Sequence, residues 1–143
     1  MTVKAILDMK GRDVFTAEPE MTLGDAAKLL SDKRIGAIVV TKAGDKIAGI
    51  LSERDIVRQV GLRGAAALDE PISSAMTARV KTCQDGHTVN QVMEIMTRGR
   101  FRHLPVERDG KLAGIVSIGD VVKRRIEDVE READEIRHYI ATA

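Results

Sequence analysis

Aromatic residues are scarce in this chain, which has two Phe, one Tyr and no Trp among 143 residues. Its core must therefore be built from Ile, Val, Leu, Ala and Met. A platform on which single-stranded nucleic acid could stack its bases has almost nothing to be made from. There is one cysteine, Cys83, so no internal disulfide can form. That suits a reducing compartment. No apolar run approaches the ~20 residues that a membrane span needs. Met1–Gly11 mixes Lys with Asp and carries no signal-peptide pattern. These absences lead to the expectation of a cytoplasmic protein without a membrane partner. An excess of charge of one sign is missing too: 23 basic and 22 acidic residues leave a net charge of +1, unlike a typical nucleic-acid binder. His87, His103, His138 and Cys83 show no metal-ligand spacing. With no nucleophile–base pair and no Walker loop in sight, neither catalysis nor a catalytic cofactor is expected.

What is present is a repeat. Gly49-Ile50-Leu51-Ser52-Glu53-Arg54-Asp55 returns as Gly114-Ile115-Val116-Ser117-Ile118-Gly119-Asp120, with Gly, Ser and Asp each displaced by 65 residues. Upstream, Thr16 and Thr22 return as Thr82 and Thr88 at an offset of 66, so the second copy has lost one residue, most simply at a hairpin turn. The pattern around each copy predicts β-α-β-β-α. In the first, strands are expected at Asp13–Thr16, Ile35–Thr41 and Lys46–Leu51, with helices capped by Thr22 and Ser52. In the second, strands are expected at Val80–Cys83, Arg102–Glu107 and Lys111–Val116, with helices capped by Thr88 and Ser117. Asp109-Gly110 is a hairpin turn signal, and Pro105 implies an edge or an unpaired position in its strand. Residues 1–60 form the first repeat, 61–71 a linker, 72–122 the second repeat and 123–143 a C-terminal helical extension. The expected fold is α+β, resembling an α/β sandwich. Each half is too small to bury both faces of its sheet, so the halves should pack sheet to sheet about a pseudo-two-fold axis.

In the last helix Val122, Ile126, Val129, Ala133, Ile136 and Ile140 follow a heptad-like spacing. That seam must be covered, either by its own domain or by a partner subunit.

The repeated motif has two readings. Ser-x-x-Asp is a capping box with Asp in place of Glu. It is also a phosphate and ribose site in one helical turn: free N–H groups and partial positive charge suit phosphate, and a carboxylate on the first turn can accept hydrogen bonds from a vicinal diol. The accompanying Gly, which a cap alone does not need, favours close approach of another group.

The two Gly-apolar-x-Ser-x-x-Asp elements, Arg102-His103-Leu104-Pro105-Val106 before the Asp109-Gly110 turn, and Thr88–Met96 as a first helix together resemble a tandem pair of CBS (cystathionine-β-synthase-type) domains, a Bateman module, over roughly Val3–Val122. The resemblance implies an adenine nucleotide or another adenosyl compound (AMP, ATP or NAD(H)) in the cleft between the halves. Asp55 and Asp120 would hold ribose hydroxyls, Ser52 and Ser117 would lie by phosphate, and the strands at Thr16 and Thr82 would line the base pocket. Where such a site combines one half's Asp with strand ends of the other, Asp55 gathers Arg54, Lys81, Arg102, His103 and the neighbouring Leu104. Asp120 gathers Gly119, Gly36 and Ala37, with Arg34 nearby. The Asp55 site is then expected to take the more highly phosphorylated ligand. The function implied is a non-catalytic, energy- or redox-sensing regulatory module acting on an unknown target protein or through its own homodimer. The alternative is a ligand-independent dimerisation or scaffold module in which Ser and Asp are only caps.

Overall fold

A computed structural model describes residues 1–142. Helix α1 (Val3–Lys10) leads into β1 (Thr16–Ala17), α2 (Leu23–Lys33), β2 (Ala37–Lys42), β3 (Lys46–Ser52) and α3 (Glu53–Arg63). After 3-10 turns at Gly64–Asp69 and Ile72–Ser74 come α4 (Val89–Gly99), β4 (His103–Arg108), β5 (Lys111–Ser117) and α5 (Ile118–Thr142). The first sheet has the order β1-β2-β3, parallel then antiparallel, and the second is the antiparallel pair β4-β5. The two sheets meet along β3 and β5. The architecture is the expected α+β fold with two small sheets.

The helix starts follow from their caps. Thr22 Oγ1 accepts from Asp25 N at 3.1 Å, and Thr88 forms a full capping box with Gln91. The missing residue lies where the offsets placed it. The first hairpin turns through Ala43–Asp45, whereas the second turns through Asp109-Gly110, both with positive φ (54° and 76°). That is the twist a two-residue hairpin requires.

Three boundaries differ from expectation. The strand expected at Asp13–Thr16 is confined to Thr16–Ala17. The segment 61–71 is not free chain: α3 runs to Arg63, and Ala67 in the following 3-10 turn is fully buried. The strand expected at Val80–Cys83 shrinks to one parallel bridge between Cys83 and Val106. Cys83 N donates to Pro105 O at 3.0 Å and Glu107 N donates to Cys83 O at 2.8 Å. The next bond of that ladder would need an N–H on residue 105, and proline has none. The unpaired position inferred at Pro105 is therefore what ends the strand.

The core exchanges segments between halves. Val3, Ile6 and Leu7 of α1 pack with Val92, Met96, Leu104 and Val116 of the second half. Ile72, with Leu68 and Met76 beside it, packs with Leu23, Ile38, Val40 and Leu51 of the first. Paired backbone bonds fix both exchanges: Val3 N to His87 O and Val89 N to Met1 O, each 2.9 Å, mirror Leu23 N to Glu70 O (2.8 Å) and Ile72 N to Met21 O (2.7 Å). The motif glycines sit at these crossings. A Cβ on Gly49 would lie 2.7 Å from both Met76 Sδ and Thr77 O, and one on Gly114 would lie 3.0 Å from Leu7 Cδ1. The close approach inferred for the Gly is thus made by the exchanged segment itself.

Gly49→Ala is expected to destabilise the protein by about 1–3 kcal/mol, since Thr77 is bonded to Ile50 on both sides and cannot retreat. Gly61→Ala, in α3 with nothing near its Cβ, should instead stabilise by about 0.5–1 kcal/mol. Urea unfolding of the two variants checks the opposite signs.

Candidate functional site

A cleft of about 400 Å³ opens between the halves at the N-terminus of α3. Ser52, at the end of β3, caps α3: its Oγ accepts from Asp55 N at 3.3 Å, and Asp55 Oδ2 accepts from Ser52 N at 2.8 Å and Ser52 Oγ at 3.0 Å. The capping-box reading is therefore correct as geometry, but it uses only one carboxylate oxygen. Among the described residues Oδ1 has only Arg58 at 4.0 Å, which leaves it available to a donor in the cleft.

Ser52, Arg54, Asp55, Lys81, Arg102 and His103 all line this cleft, as the site expected around Asp55 requires. Three further cations also line it: Arg58, Arg79 and Arg100. Six cationic side chains thus face two carboxylates, Glu53 and Asp55, leaving about four positive charges unopposed. Like charges gathered in a concave wall raise its potential for anions. His103 lies with its Cε1 3.1 Å from where a Cβ of Gly36 would stand, so Gly36 is what lets the imidazole lie against the opposite strand end. Burial lowers the His103 pKa, with Glu53 pulling the other way. Burial therefore disfavours the charged form of the ring. Phe101 supplies an aromatic wall, folded over Gly99 so closely that no Cβ fits there.

The remaining expected site residues lie elsewhere. Gly36 and Ala37, assigned to the Asp120 side, line the Asp55 cleft instead. Arg34 is the left-handed C-cap of α2 (φ 53°) and faces a separate groove between α2 and α3. Leu104 is fully buried in the second core. Thr16, exposed on β1, and Thr82, beside buried Cys83, do not line the cleft. Ser117 and Asp120 repeat the capping geometry at α5: Ser117 N donates to Asp120 Oδ2 at 2.9 Å, and Asp120 N donates to Ser117 Oγ at 3.1 Å. Here the equivalence of the two copies stops. Lys10 Nζ, from the end of α1, donates to Asp120 Oδ2 at 2.7 Å and to Ile115 O at 3.0 Å. Burial pushes the Asp120 carboxyl up, but Lys10 and Ser117 outweigh it and hold its pKa below the usual value.

Arg58, Arg79, Arg100 and Phe101 were not found by sequence reasoning. Arg58 stands one turn after Arg54 and was legible from helical spacing. Arg79 follows the exchanged Met76–Thr77 segment, and Arg100 is a left-handed C-cap (φ 55°). Only the tertiary crossing brings these two to the cleft.

The family model for the CBS domain matches residues 3–61 and 72–127. A mitochondrial CBS domain-containing protein of Arabidopsis thaliana is 31% identical over 147 aligned positions, covering 97% of this chain and 71% of its own length. The crystal structure of a CBS-domain-containing protein from Agrobacterium tumefaciens is 54% identical, with a TM-score of 0.85 over 87% of this chain and 99% of that one. A CBS domain protein from Pyrobaculum aerophilum, solved in complex with AMP, is 28% identical, with a TM-score of 0.75 over 84% and 89% of the two chains.

Asp120→Asn tests the Lys10 contact. A carboxyl whose folded pKa is depressed contributes stability above its unfolded pKa, near 3.9, and loses it as pH falls through the folded value. The substitution is expected to cost about 1 kcal/mol at pH 7 and progressively less below pH ~4. Denaturant titrations at the two pH values measure this.

Proposed function

Because this chain belongs to the CBS-domain family, with two such domains in tandem, we propose that it is a non-catalytic regulatory module binding an adenine nucleotide at the Asp55 cleft. The observation that carries this reading is the convergence there of a carboxylate with one uncommitted oxygen and six cationic side chains. Asp55 Oδ1 accepts from the ribose diol, and the arginines and Lys81 bind phosphate by charge-assisted hydrogen bonds. Phe101 offers its face to the base. AMP in the Pyrobaculum aerophilum relative supports an adenosyl ligand. The unopposed positive charge favours ATP over AMP. The Asp120 copy, its carboxylate held by Lys10, is the weaker site. Occupancy of the cleft acts on a target protein, or through a homodimer, to the extent that ligand binds two conformations of the cleft differently.

One observation favours a second reading, a ligand-independent scaffold. Both capping boxes are complete within the chain, and Gly49 and Gly114 are explained by packing. Melting with and without millimolar AMP, ATP or NAD separates the two. A ligand at 100 times its dissociation constant adds about 2.7 kcal/mol, a shift of several degrees. No shift with any of them leaves the scaffold.

For a binder, calorimetry should show Asp55→Ala weakening ATP about tenfold or more and Asp120→Ala changing it by no more than about twofold. Equal losses in both variants would remove the asymmetry. Protonation of His103 adds a cation to the cleft, so anion binding raises its pKa and takes up a proton. ATP affinity should rise as pH falls from 8 to 6, more in the wild type than in His103→Asn. Identical pH profiles would exclude His103 from the site.

A further inference from the structure

Helix α5 has two unlike faces. Its inner face holds Val121, fully buried, and Asp128, 9% exposed. Arg124 lies between them, 3.5 Å from Asp128 and 3.3 Å from Met9 Sδ of α1. On the other face the seam is uncovered: Val122, Ile126, Val129, Ile136 and Ile140 are 41–68% exposed. The chain's own domain therefore does not cover the seam.

We propose that the seam is covered by α5 of a second copy of this chain, lying parallel and in register as a two-stranded coiled coil. The proposal deepens the homodimer reading and is independent of the ligand. It rests on charge. With Ile126, Ala133 and Ile140 at a and Val122, Val129 and Ile136 at d, the flanking e positions are Lys123, Glu130 and Arg137, and the g positions are Arg125, Glu132 and Tyr139. In a parallel pair each g residue faces the e residue five positions further along the other helix. Arg125 then meets Glu130 of the second copy, and Glu132 meets Arg137, each contact occurring twice by symmetry. An antiparallel pair overlapping over the whole seam sets Glu130 against Glu130, Glu132 against Glu132 and Lys123 against Arg137. Every charged pair in that arrangement is repulsive, and the one pair left, Arg125 with Tyr139, carries no opposite charge. An antiparallel register one heptad shorter restores attraction between Arg125 and Glu132 but leaves Ile136 and Ile140 bare. Among the described residues Arg125, Glu130 and Glu132 have no ion-pair partner within the chain, and Arg137 has only Asp134, 3.3 Å away at the surface. β-branched residues at d by themselves favour wider bundles. Ala133 at the central a layer counters this, because it would leave a void in a three- or four-stranded core.

Sedimentation equilibrium of the full chain at about 0.1 M salt tests the proposal. The wild type is expected to be a concentration-dependent dimer. Arg125→Glu should weaken it about tenfold, by turning two attractive contacts repulsive, and Glu130→Arg added in the same chain should restore it to within about twofold. Circular dichroism confirms that these surface variants keep their helix content. A wild type that stays monomeric, or a dimer indifferent to Arg125→Glu, overturns the seam as the interface. A trimer or tetramer overturns the two-stranded form. Rescue by Glu132→Arg in place of Glu130→Arg overturns only the parallel direction, pointing to the shifted antiparallel register. In a second readout, Ala133→Cys should cross-link to its own counterpart on oxidation, since parallel a positions face one another within disulfide reach. Absence of that cross-link in a dimeric sample also overturns the parallel arrangement.

Discussion

The structure depends on two backbone crossings, Met76–Thr77 against Gly49 and Leu7 against Gly114. At each, the segment preceding one half passes over the last strand of the other, leaving no room for a Cβ on Gly49 and only a tight 3.0 Å fit against the Leu7 side chain for one on Gly114. The consequence is mutual. Val3, Ile6 and Leu7 complete the second core, and Ile72 completes the first. Neither half of about sixty residues holds a closed core alone, which fits the poor surface-to-volume ratio of units that small. The exchange fuses two marginal sheets into one body and fixes where their strand ends meet.

That meeting point is the cleft, and the same crossings make it unequal. The exchanged segment that follows α3 carries Arg79 and Lys81 into the Asp55 cleft, which fills with positive charge. The exchanged segment at the N-terminus ends in Lys10, which lands on Asp120 and neutralises it. Two nearly identical Gly-x-x-Ser-x-x-Asp motifs thus meet opposite fates. Each carboxylate uses only Oδ2 for its hydrogen bonds, but Asp55 stands beside unopposed arginines, while Asp120 is held in an internal ion pair. The difference arises in what each crossing delivers, with Arg54 against Gly119 as a smaller contribution.

Helix α5 extends the asymmetry to the surface. The second repeat ends in 25 helical residues, whereas α3 ends after 11. The inner face of α5 closes on α1 through Arg124 and Asp128, near the Lys10–Asp120 pair, and its outer seam is apolar. A change at α1 therefore has a short packed route to the helix that carries the proposed dimer contact.

The sequence by itself determined the local chemistry. The repeat, the caps at Thr22, Ser52, Thr88 and Ser117, the one-residue deletion at the second hairpin and the heptad spacing of α5 all depend on neighbours a few residues apart, and all were legible. Pro105 correctly announced a missing N–H. That this would end the Val80–Cys83 strand required knowing which side of β4 that strand would occupy. Only the tertiary structure decided which charges converge. Arg79, Arg100 and Lys10 owe their positions to chain crossings, Lys10 lying 110 residues from Asp120 in sequence, and Leu104, part of a motif, is turned into the core. Spacing tells which residues share a face of one element. Which faces meet is set by burial of the whole core, and that decided why Asp55 faces a cationic cleft and Asp120 is paired with Lys10.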